Sequence, residues 1–74
     1  MSIVTNIEAS RTALKEMELF RNEMTIILRT SKNVVDRQTY EVFEKAHRMA
    51  VESCIQMRSL IFDVETLQVE LLAQ

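Results

Sequence analysis

Arg29-Thr30-Ser31-Lys32-Asn33-Val34-Val35-Asp36 is the stretch whose reading decides the fold. Its first five residues interrupt an apolar helical pattern with side chains that bond their own backbone, and they bring positive charge to a place where a helix C-terminus favours it. The chain therefore reverses here. Asn33 is able to take the left-handed conformation that glycine would otherwise supply, and Ser31, Asn33 or Asp36 is able to cap the segment that follows.

Before the reversal, Ile3, Ile7, Leu14, Met17, Met24 and Leu28 recur at helical steps, with Ala13, Phe20 and Ile27 in the adjacent row of the same face. Ser2 or Thr5 caps the start, and Glu8 stands at the capping-box spacing from Thr5. The pattern predicts a first helix from about residue 4 to about residue 30. After the reversal, Tyr40, Phe43, His47, Ala50, Cys54, Met57, Ile61, Val64, Gln68 and Leu71 follow an unbroken three-four alternation. Ala46, Ser53, Leu60 and Leu67 lie beside that row. The chain contains no glycine and no proline, so nothing stops a second helix from about residue 36 to about residue 73. The expected turn covers residues 31–35, and residues 1–74 form one domain.

Two long helices joined by a short reversal make an antiparallel hairpin. A turn centred on Lys32 and Asn33 pairs residues whose numbers sum to roughly 65. Met24 is then expected opposite Tyr40, Met17 opposite His47, and Ile3 opposite Ile61. Arg21, a charge on the seam, is expected near Glu41 and Glu44, its stem covering apolar surface. The end of helix 2, with Leu67, Val69, Leu71 and Leu72, overhangs the start of helix 1.

Two helices facing one another need one apolar stripe each, and this sequence has more. Val42 and Met49 lie off the seam of helix 2 in one row with Val35; Ile55, Phe62 and Val69 form another, Leu72 adds to the overhang, and helix 1 contributes Leu19 and Ile26. Exposed apolar area is worth about 25 cal/mol per Å² when it is buried, so these residues are the candidate interaction surface. The expected fold class is all-α: a long two-helix hairpin assembling as a four-helix bundle dimer. The expected partner is a second copy, with another helical protein as the alternative.

Composition narrows the function classes. The absence of glycine removes Gly-rich phosphate loops and the dinucleotide-binding turn. A single Cys54 allows no internal disulfide and no multi-cysteine metal site, and His47 is the only histidine. Nine Lys and Arg against eleven Asp and Glu leave a net charge of −2, which disfavours a nucleic-acid partner. Arg29, Lys32 and Arg37 at the turn are the one local basic cluster, and they carry the alternative reading of a hairpin dimer that binds nucleic acid as a regulator. No run reaches the about 18 apolar residues of a membrane span, and the N-terminus has no leader pattern, so a cytoplasmic protein is expected.

Single residues suggest chemistry only weakly. His47 sits on the seam between Ala46 and Ala50, which favours a hydrogen-bonded structural histidine over a phosphate acceptor. Cys54 lies one heptad further along, about 10 Å by helical rise, too far for His47 to act as its base. Glu44 and His47 match the Glu-x-x-His spacing of di-iron bundles, but helix 1 offers no Glu on its apolar face to complete such a site. No catalytic, metal or cofactor site and no small-molecule substrate is expected. The reading is a non-enzymatic interaction module, an adaptor, inhibitor or chaperone-like hairpin acting through apolar helix faces. Asp36, Tyr40, Val42 and Phe43 at the head of helix 2 are similar, over about eight residues and at the level of fold alone, to the small hairpin co-chaperones of type III secretion needle subunits. That likeness implies a role in shielding an aggregation-prone partner.

Overall fold

The computed structural model describes the backbone of residues 3–73 and the side chains of residues 7–73. It contains two α-helices, α1 (Ile3–Ser31) and α2 (Arg37–Ala73), lying side by side as an antiparallel hairpin. Its extents of 58 × 16 × 15 Å are those of one 37-residue helix at about 1.5 Å per residue with a second helix beside it. The expected all-α hairpin is therefore what forms, with each helix boundary within a residue or so of its expected place. The Thr5–Glu8 capping box falls on Thr5, whose side chain lies outside the described residues.

The reversal is built differently from the expectation. No non-glycine residue among those described has a positive φ, so Asn33 is not left-handed. The Ser31 carbonyl instead accepts the N–H groups of Val34 (3.0 Å) and Val35 (3.2 Å), which tightens the end of α1 and carries the helix through Ser31. The turn is displaced to residues 32–36. Of the three possible caps, Asp36 is used: its Oδ1 accepts the Thr39 N–H at 2.7 Å, while its carbonyl accepts the Tyr40 N–H at 3.0 Å and so starts the helical ladder.

Hydrogen bonds from the Thr39 side chain and from the Thr39 N–H hold the Asp36 carboxyl below its ordinary value of 3.8. A depressed folded-state value means the cap stabilises the helix above that ordinary value and is lost as pH falls through the folded-state value. Acidification below about 4 should therefore fray the first turn of α2, read by amide exchange at Thr39 and Tyr40. In Asp36→Asn, which keeps the cap oxygen without a charge to titrate, that acid step should disappear. An unchanged acid step in Asp36→Asn would show that other groups cause it.

The seam follows the three-four alternation closely. On α2 every seam residue from Tyr40 to Gln68 is buried or half-buried, and on α1 the sequence Ile7, Leu14, Met17, Arg21, Met24, Leu28 is likewise covered. Ile7, Met24, Ala50, Cys54 and Ile61 form the most buried set. Leu71, at the overhanging end, stays exposed.

The later turn moves the register. Ile61 lines a cleft with Ile7, one helical turn from the expected Ile3. Met17 does lie beside Ala46 and Ala50, which flank its expected partner, whereas His47 itself bonds Thr25. Arg21 does not reach Glu41 or Glu44: its guanidinium donates to Asn22 Oδ1 at 3.3–3.4 Å, and Glu41 is bonded by Arg37 at 3.3 Å. Displacing the turn by a residue or more slides every cross-helix partner along α2, and a charge on the seam takes the nearest acceptor.

Candidate interaction surface

The two edges of the hairpin differ. On one edge Arg11 pairs with Glu65, and Arg58 pairs with Glu18 at 3.6 Å, each ion pair crossing from one helix to the other. Exposed pairs of this kind contribute up to about 1 kcal/mol each and mainly fix register. Thr25 ties the helices nearer the turn. Its Oγ1 lies 3.0 Å from the Arg21 carbonyl and shares a hydrogen bond with His47 Nε2 at 2.9 Å. That bond makes His47 a half-buried strut between the helices.

The opposite edge is apolar. Phe20 and Ile27 of α1, with Leu60 of α2, were expected beside the seam on the inward face of the hairpin, whereas Leu67 was expected in the overhang and is exposed there. The first three remain exposed instead: Phe20 by 44% and Leu60 by 59%. The physical reason is width, since a pair of helices covers only the two central rows of each stripe, and the row beside them needs a third or fourth helix. Between these large side chains lie small ones. Met17, Phe20, Ala46, Met49, Ala50 and Ser53 line an open groove of about 280 Å³. A smaller cleft of about 90 Å³, lined by Ile7, Ser10, Leu60, Ile61 and Val64, continues along the hairpin.

All the off-seam residues named as candidates are on the surface, and they divide into groups. Met49 lines the groove just described, and Val42 is exposed one heptad before it. Ile55, Phe62 and Val69 run down the other flank of α2, where Phe62 and Val69 share a shallow depression with Glu65, Thr66 and Glu70. Leu19 and Ile26 project from the outer side of α1, and Leu72 from the end of α2. The sequence reading singled out Met49 but counted Phe20, Ser53 and Leu60 as interior. Counting how many rows a single partner helix can cover was the signal available for finding them.

At the turn, Arg29, Lys32 and Arg37 are all exposed. Arg37 bonds Glu41, and Asp36 sits between Lys32 and Arg37 in the chain, so the positive field there is weak.

Cys54 is wholly buried and is a free thiol, packed one turn from the buried Ala50. Among the described residues, no three His, Cys, Asp or Glu side chains gather as they would to hold a metal ion. No described helix is long and apolar enough to cross a membrane. No protein-family model, curated protein or solved structure matches the chain.

Proposed function

We propose that this chain is a protein–protein interaction module whose working surface is the apolar part of its helix faces. The observation that carries the reading is the exposure of a contiguous set of large apolar side chains along a hairpin whose own seam is already closed. Isolated surface hydrophobes are ordinary, but rows of them at helical spacing flanking a groove are the pattern that receives a helix. The hairpin acts as an adaptor, an inhibitor or a chaperone-like cover for a partner's apolar segment. The basic turn supports a nucleic-acid role less well, because its charge is partly matched by Glu41 and Asp36.

Sedimentation equilibrium over a wide concentration range, with an apolar fluorescent dye titrated into the same samples, tests this reading. Either reversible association, or a helical monomer that binds the dye, is expected. A helical monomer that neither associates nor binds dye would overturn it.

A further inference from the structure

We infer that the apolar edge bearing Phe20, Met49 and Leu60 is covered by a second copy of this chain, giving a closed dimer of four helices. This rests on the interaction-module reading and names its occupant and its face.

Area supplies the first argument. The hairpin exposes 5976 Å², whereas a compact monomer of 8.6 kDa exposes about 4,700 Å². The excess, roughly 1,300 Å² per chain, is more than the roughly 800 Å² per partner of a standard stable interface. An elongated rod 58 Å long and 16 Å wide loses that excess when another rod of equal length lies along it. A second copy has that length.

Chemistry selects the edge. Ion pairs occupy the Arg11–Glu65 side, and its charges are already matched within the chain. The Ile55–Phe62–Val69 stripe is one helix wide and is bordered by Glu65 and Glu70. The Phe20 edge is two helices wide, and neither its groove nor its cleft is lined by a charged side chain. Depletion of charge at the centre, with aromatic and methionine side chains beside small ones, is the composition of an interface core. Large and small residues on one surface also allow an isologous contact, in which the knobs of each copy enter the hollows of the other.

Exposed charged rows rim this edge on both helices. Glu16 and Glu23 are exposed and lie in the row next to Phe20 on α1. On α2 the row next to the groove runs Val42, Met49, Gln56, Asp63 and Glu70, so carboxylates border the apolar edge on both helices and leave its centre uncharged.

Phe20→Glu and Met49→Glu test the face, with Phe62→Glu on the other flank as comparison. All three positions are exposed in the hairpin, so helicity by circular dichroism should survive each change. Sedimentation equilibrium should show a wild-type dimer, a dissociation constant raised roughly 30-fold or more by Phe20→Glu and by Met49→Glu, and little change in Phe62→Glu. A dimer broken by Phe62→Glu and untouched by the other two would overturn this face and leave the interaction-module reading standing. A wild-type monomer that binds the apolar dye would overturn the second copy as occupant in favour of a different partner. A monomer that binds no dye would overturn both readings.

Discussion

Ile61→Asp should abolish the folded hairpin at neutral pH. Ile61 is 8% exposed and lines the cleft shared with Ile7 and Val64, so an ionised carboxylate there would lose its water without gaining a partner. Arg58 and Arg11, on the charged edge, are already paired with Glu18 and Glu65. Burial of an unpaired charge costs several kcal/mol. A single core in a chain of this length rarely supplies more than about 3–5 kcal/mol, so the cost exceeds what is available. Far-ultraviolet circular dichroism should show most of the helix lost, while the neighbouring Phe62→Glu, on an exposed site, should stay helical. Ile61→Val, which removes one methyl group, should cost about 0.5–1.5 kcal/mol. A native spectrum and unchanged melting in Ile61→Asp would mean that the seam does not run through this position.

The second large effect is expected at Cys54. Among the described residues it is the one side chain with no exposed surface, and the small Ala50 and half-buried Ser53 lie beside it on α2. Cys54→Leu adds volume where none is free and should destabilise by about 1–3 kcal/mol, a substantial share of the total. Cys54→Ala, which fits the space, should be the milder of the two. Burial also governs reactivity: thiol-modifying reagents should react with native Cys54 only as fast as the hairpin opens, and at full speed in denaturant. Immediate modification of the native protein would show that the thiol is accessible and the packing wrong. His47 lies two turns away and bonds Thr25, so it has no part in that reactivity.

Both predictions fall on α2, where the three-four alternation from Tyr40 to Val64 made the buried positions legible one by one. Arg21 shows where such a reading stops. Its place on the seam was evident, but its bonding partner depended on a register that no local pattern specifies. The same holds for Ile61, whose neighbour proved to be Ile7, one turn from the residue that a turn at residues 31–35 implied. Capping was half legible: three candidate residues were visible, and Asp36 prevailed because α1 continued through Ser31 and left Asp36 at the start of α2.

The candidate surface divides in the same way. Val42, Met49, Ile55, Phe62 and Val69 were marked by their distance from the seam. Phe20 and Leu60 were not, because a helical wheel ranks a residue by angle and does not say how wide a strip one partner helix covers.

Period and composition alone determined that this chain makes two long helices and one reversal, and which row of each helix turns inward, because those properties depend on residues three and four apart. Tertiary structure alone decided the register, the pairing of ions along one edge, and the exposure of a two-helix-wide apolar strip along the other. Each of these depends on where the turn closes and on the finite width of a helix, and neither quantity is written in any local stretch of sequence.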